Sequence, residues 1–259
     1  MSNDVLVENV AATRIVTINR PRVRNALTVQ TIDALRDAMR DASQDPAVRC
    51  VVMGGAGGHF CAGADHRAML ADPSFDSHLE TYMAAFHGII REVVRCPKVV
   101  VAMMAGAAVG FGADLAFACD LRVASTDAYA QEKFTQIGLM PDGGGTFWLP
   151  RLVGTARAME MILLADRVDA PELHRLGVVA RVVEGGSLRD AALVLARRIE
   201  SGSPLAFAAV KRALYEASGS LEDALCRARE QQLKLLRTSD FREGVAAWLE
   251  KREPRFTGS

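Results

Sequence analysis

Two short apolar runs, Leu6–Val10 and Arg14–Ile18, flank Ala11-Ala12-Thr13 and predict a β-hairpin ended by Asn19-Arg20-Pro21. The spacing then changes. Ile32, Leu35, Met39 and Ala42 fall on one face of a helix behind Thr28, a good N-cap, and Asp45-Pro46 stops it. Cys50–Met53 is apolar throughout and predicts a buried strand, so this strand–helix–strand order suggests a parallel crossover. Another helix is predicted over Leu79–Val94, up to Cys96-Pro97.

Further on, Leu121–Ala124 predicts a strand and Tyr129–Ile137 a short extended segment. Helices are predicted from about Gly144 to Leu152, over Thr155–Leu164 and from Pro171 to Leu176, with a short strand at Val182-Val183. Beyond that the pattern is wholly helical. Leu188–Ile199 comes first, then a helix opened by Ser203-Pro204 and running to about Ala217. Ser220 is expected to cap a third helix, with Leu221, Leu225, Ala228, Leu235 and Leu236 roughly on one face. Asp240 is expected to cap a fourth, carrying Phe241, Val245, Trp248 and Leu249. The change of pattern near residue 200 is the expected boundary between a core of residues 1–200 and a helical region of residues 201–259.

The longest apolar run spans Val99 to Cys119, with Asp114 its only charge. Its length and its Gly106-x-x-x-Gly110 spacing would suit a membrane helix. But it opens on three valines, its glycines Gly106, Gly110 and Gly112 cluster mid-run, and an acid inside a lone span is costly. A buried strand, a glycine turn and a core helix fit better. Such a helix start aims free N–H groups and a positive dipole end at whatever sits in the turn, a device for holding negative charge. Two more glycine-rich stretches, Gly54–Gly58 and Gly143–Gly145, follow apolar segments.

Composition narrows the function classes. The 259 residues carry 31 basic and 31 acidic side chains, with half the positions hydrophobic. That balance argues against nucleic acid or a polybasic membrane surface as a partner. Five scattered cysteines with no CxxC pair suggest reduced thiols rather than a metal site, and the first residues lack the basic and apolar segments of an export signal. A cytoplasmic protein is the expectation.

Four motifs carry the chemistry: Phe60-Cys61-Ala62-Gly63-Ala64-Asp65, Gly106-x-Ala108-x-Gly110-Phe111-Gly112, Ala118-Cys119-Asp120-Leu121-Arg122-Val123-Ala124, and Ile137-Gly138-Leu139-Met140-Pro141-Asp142-x-Gly144-Gly145. Asn19-Arg20-Pro21, Arg242-Glu243-Gly244 and Phe256-Thr257-Gly258 accompany them in order. In register over nearly the whole chain, the set resembles the enoyl-CoA hydratase/isomerase (crotonase) superfamily. The resemblance implies an α/β crotonase-like spiral of strand–strand–helix repeats with a helical C-terminal region used in trimerisation. It also implies acyl-coenzyme A substrates, no separate cofactor, no metal, and a homotrimer or a hexamer made of two trimers.

Carried over by motif, two backbone N–H groups, those of Ala62 and Phe111, would hold the thioester oxygen as it gains enolate charge; Phe111 would also shape the acyl pocket. Hydratases of the family place one glutamate at the position of Asp114 and a second at that of Phe134. Asp114 is an acid one methylene shorter, and Phe134 cannot move a proton. Glu132 would share the site only if its strand were regular. Asp142 suits a turn or a helix cap on its own. Yet Pro-Asp-x-Gly-Gly also resembles the Δ3,Δ2-enoyl-CoA isomerase branch, which includes 1,2-epoxyphenylacetyl-CoA isomerase, where this Asp shuttles a proton. Arg24, Ala64, Asp65, Gly110, Phe134 and Lys251 are the implied substrate-binding positions, Lys251 from a neighbouring subunit. His59 and His66 read as surface or pocket-rim residues. Double-bond migration in an enoyl-CoA by Asp142 is the leading expectation. Hydration through Asp114 and a non-catalytic acyl-CoA- or RNA-binding homologue remain open.

Overall fold

In a computed structural model the described residues are 4–216 and 219–259. The chain opens with β1 (Val5–Val10) and β2 (Thr13–Ile18), the predicted antiparallel hairpin. Next come α1 (Val29–Gln44), β3 (Cys50–Gly55), α2 (His66–Ala71) and α3 (Leu79–Arg95). Thr28 caps α1 through Oγ1 accepting from the Thr31 N–H, and Ile32, Leu35, Met39 and Ala42 are buried, as their spacing predicts.

The long apolar run is cut into β4 (Val99–Met104), β5 (Ala107–Val109) and α4 (Phe111–Ala118). Among the described residues no helix is long and apolar enough to cross a membrane. After it come β6 (Leu121–Ser125), β7 (Tyr129–Gln131), α5 (Gly145–Val153), α6 (Thr155–Leu164), β8 (Val168–Asp169), α7 (Ala170–Arg175) and β9 (Arg181–Val183). The C-terminal part is helical: α8 (Leu188–Glu200), α9 (Pro204–Tyr215), α10 (Leu221–Leu235) and α11 (Ser239–Glu250). Ala217, the expected end of the helix that became α9, lies outside the described residues.

Two sheets organise this. One has the order β1-β2-β3-β4-β6-β9, parallel except for the hairpin; the smaller has the order β5-β7-β8. The central strands β3 and β4 are buried on both faces, which is why they read as continuous apolar runs. Val16, Val51, Val100 and Ala124 join the main core, while Ile15, Val52, Val101 and Val123 pack toward Leu188, Ala192, Ala196 and Ile199 of α8. The period-two alternation of the pleat thus serves two cores.

Several expectations change. α2, β5 and β8 carry too few residues to show a period. Tyr129–Ile137 is extended only through Gln131 and then turns, with a 3₁₀ segment at Thr135–Ile137. Ser220 caps α10 in a capping box with Asp223, as predicted, but α11 is capped by Thr238. Asp240 is buried instead, accepting from Ser203 Oγ and from the Thr257 and Gly258 N–H groups to tie down the C-terminal segment.

One buried cation fastens α4. The Arg122 guanidinium donates to the carbonyls of Ala116 (3.3 Å), Phe117 (3.2 Å) and Cys119 (2.6 Å) at the helix end and to that of Val178. Positive charge at a helix C-terminus is favourable, although burial lowers the affinity of the guanidinium for its proton. Arg122→Met is expected to lose about 2–4 kcal/mol of stability, because several buried carbonyls would lose their donor. A shift in the denaturant midpoint checks this.

Candidate functional site

The Cys61–Asp65 segment runs between two neighbours. Cys61 bridges Ala108 of β5, and Ala64 bridges Leu27, both in parallel. At the second bridge the Leu27 N–H donates to the Gly63 carbonyl and the Asp65 N–H to the Leu27 carbonyl, each at 2.8 Å. In a parallel pair the residue between those two bonds directs its own N–H to the opposite side. The Ala64 N–H is therefore turned away from Leu27, and Ala64 lines a cavity of about 550 Å³. The Ala62 N–H is occupied: it donates to the Arg24 carbonyl at 2.9 Å. That corrects the expected donor, since an amide already bonded to backbone is not available to a ligand.

Phe111 stands in the first turn of α4, where helical N–H groups have no partner inside the helix. Gly110, with φ +53°, turns the chain into it. Phe111 N lies 3.4 Å from where a Cβ on Gly63 would stand. The two turns therefore meet: Ala64 and Phe111 line the same cavity from adjoining backbone.

The cavity wall is aromatic. Phe75 meets Tyr82 edge-on at 5.2 Å, Tyr82 stacks on Phe86 at 5.9 Å, and Phe86 meets Phe111 edge-on at 4.7 Å. Phe134 closes the side next to Gly110, and Leu139 and Met140 complete the wall.

The acids separate cleanly. Asp142 lines the cavity and has a buried, unpartnered Oδ1. It does not cap α5, which starts behind Gly144 with no side-chain cap. Burial raises its proton affinity, while its own N–H and the nearby His87 and His66 act in the opposite direction. Asp114 is fully buried and does not line the cavity; its Oδ2 accepts from the Gly143 N–H at 2.7 Å. Glu132 is also buried, and its Oε1 and Asp114 Oδ1 both lie against the place where a Cβ on Gly145 would stand. Loss of hydration pushes both carboxyls well up; Asp142 adds to it at both and Asp114 adds to it at Glu132, while the Gly143 N–H and Glu132 act in the opposite direction on Asp114. The native protein thus keeps a proton on this pair that the unfolded chain releases near 4.5, the ordinary value for Glu132. Stability should fall as pH rises from there into the alkaline range. Glu132→Gln is expected to flatten that decline by up to about 1.4 kcal/mol per pH unit. Denaturant midpoints from about pH 5 to about pH 9 read it.

Other expected substrate contacts scatter. Asp65 does not face the cavity: it pairs with Arg20 (3.0 Å) and caps α2 at the Ala68 N–H. Arg24 is exposed with φ +52°, and Lys251 is exposed at the end of α11. Neither borders the cavity, whereas Gly110 and Phe134 do. His59 is held by the Ala107 N–H, and His66 lies on the cavity wall. Lys133, which no motif singled out, also lines the cavity. No group of metal-ligating side chains occurs among the described residues, and the cysteines are unbridged.

A family model described as enoyl-CoA hydratase/isomerase matches residues 8–259. The chain belongs to the enoyl-CoA hydratase/isomerase family. Among relatives within this family, a probable enoyl-CoA hydratase of Rhodobacter capsulatus is 39% identical over 247 residues, covering 94% of each chain. The 1,2-epoxyphenylacetyl-CoA isomerase of Escherichia coli is 35% identical, covering 93% of this chain and 94% of its own. A solved enoyl-CoA hydratase from Polaromonas sp. JS666 superposes with a TM-score of 0.93 at 33% identity, covering 97% of this chain and 99% of that one. This is the crotonase fold, so an enzyme acting in the enoyl-CoA hydratase/isomerase family is established for the chain.

Proposed function

We propose that the protein migrates the double bond of an enoyl-CoA, using Asp142 as the single proton carrier. The Ala64 and Phe111 amides take the thioester oxygen, a charge-stabilising pair of which each donor contributes about 3–4 kcal/mol to the transition state. Asp142 removes a proton from one carbon and returns it at another while the dienolate rests on those amides. No cofactor is needed, because the thioester itself acidifies the carbon.

The observation that carries this reading is the placement of acids. Asp142 alone among Asp114, Glu132 and Asp142 borders the cavity, and Phe134, at the position where the family resemblance implies the hydratases' second glutamate, lines it without a group that can move a proton. Hydration calls for a positioned water, usually through two acids. A relative named 1,2-epoxyphenylacetyl-CoA isomerase supports an isomerase reading. The exposed apolar side chains Leu214, Leu221, Trp248 and Leu249 on the C-terminal helices favour self-association as a trimer or hexamer. Arg24 and Lys251 are the candidates for coenzyme A phosphates, Lys251 across such an interface, and the cytoplasm is the proposed compartment.

The test gives purified protein a 3-enoyl-CoA and, separately, a 2-enoyl-CoA, with Asp142→Asn and Asp114→Asn alongside. Isomerisation lost with Asp142→Asn supports the reading. Hydration that depends on Asp114 would replace it with the hydratase reading.

A further inference from the structure

Asp114 and Glu132 have no evident task in a one-acid mechanism, yet burying two carboxyls side by side is costly. Asp114 Oδ1 and both Glu132 oxygens are buried with no partner. The charged groups that act on them are each other and Asp142; His66 and His87 act on Asp142 instead. Two facing acceptors with no donor between them repel, whereas one proton makes them donor and acceptor in a strong hydrogen bond.

The loop that carries Asp142 is built on this pair. Asp114 Oδ2 accepts the Gly143 N–H. A Cβ on Gly143 would stand 2.6 Å from Asp114 Cβ and 3.0 Å from the Phe111 ring. At Gly145 a Cβ would collide with Asp114 Oδ1 and lie 3.3 Å from Glu132 Oε1. Glycine at these places lets the main chain lie directly on the carboxyls.

We propose that Asp114 and Glu132 share one proton and, as a singly charged pair, hold the Gly143–Gly145 turn so that the Asp142 carboxyl enters the cavity in its working direction. They are positioning residues and do not touch substrate. Only the kinetic part of the test rests on the acyl-CoA reading.

Infrared difference spectra at neutral pH, wild type minus Glu132→Gln, should contain the carbonyl band of a protonated carboxyl whether or not the protein turns over an enoyl-CoA. On an enoyl-CoA substrate, Asp114→Ala should lower kcat by about 100-fold, the scale of a displaced catalytic group, with KM within about threefold. Asp114→Asn, which keeps an acceptor for Gly143, should stay within about tenfold of wild type and so guards against a mere folding failure. A missing band in the difference spectrum overturns the shared proton. An unchanged kcat in Asp114→Ala, or Asp114→Asn as inactive as Asp142→Asn, overturns the positioning role. Turnover of neither enoyl-CoA by wild type would count against the proposed function and leave the spectroscopic result standing.

Discussion

Asp142→Asn is expected to lower enoyl-CoA isomerisation by about a thousandfold, in the range of a lost general base. Asn keeps the shape and the polarity of Asp but cannot accept the proton. The loss should fall on kcat, with KM changing by less than about threefold, because the proposed contacts of the thioester oxygen with both amides are left in place. A spectrophotometric assay of 3-enoyl-CoA conversion reads this. The half-buried setting of Asp142 adds a pH dependence. Burial raises its proton affinity, so the basic form should be gained above the ordinary carboxylate range. Activity should therefore rise with pH on the acidic side and level once Asp142 is ionised. A flat acidic limb in a kcat/KM profile would remove Asp142 from the role of base.

Gly63→Ala is expected to be nearly as damaging by a different route. Gly63 has φ +91°, which an L-residue adopts only with strain. An alanine Cβ there would stand 2.7 Å from the Val109 carbonyl and 3.4 Å from Phe111 N. Relief of that clash must separate the two turns that bring Ala64 and Phe111 to the cavity. A fall in kcat/KM of about 100- to 1000-fold is expected, the scale of one lost oxyanion donor, with about 1–3 kcal/mol of stability lost as well. Gly58→Ala is the control: φ is +79°, but nothing lies within 4 Å of its Cβ. It should show backbone strain in its unfolding midpoint and keep its activity. Equal activity loss in both variants would mean that strain, rather than the meeting of the turns, matters at Gly63.

Much of the site is legible in the order of residues. The glycine spacing around Gly110 announces a helix start, and Phe134 excludes a proton carrier by its chemistry alone. The Pro141-Asp142 pair marks an acid beside a glycine turn. Other features needed the packed chain. Whether Ala62 or Ala64 offers its amide depends on which residue of the segment lies opposite Leu27 in the bridge. A shift of one residue would reverse the answer. Glu132 falls just past the end of β7 at Gln131, where the period-two facing of a strand no longer says which way its side chain goes. The Asp240 carboxyl looked like a helix cap, but a closing C-terminal segment claims it.

By itself the sequence determined the order of elements, the doubly buried strands and the kinds of chemistry present, because hydrophobic period, glycine and proline act locally. Only the tertiary structure decided which acid meets the cavity and which lies beneath it. Asp114 and Asp142 are both acids near glycine turns, but Asp114 is buried against the backbone of Gly143, 29 positions away in sequence, whose N–H it accepts. Solvent access, and with it the role of each carboxyl, belongs to that long-range packing.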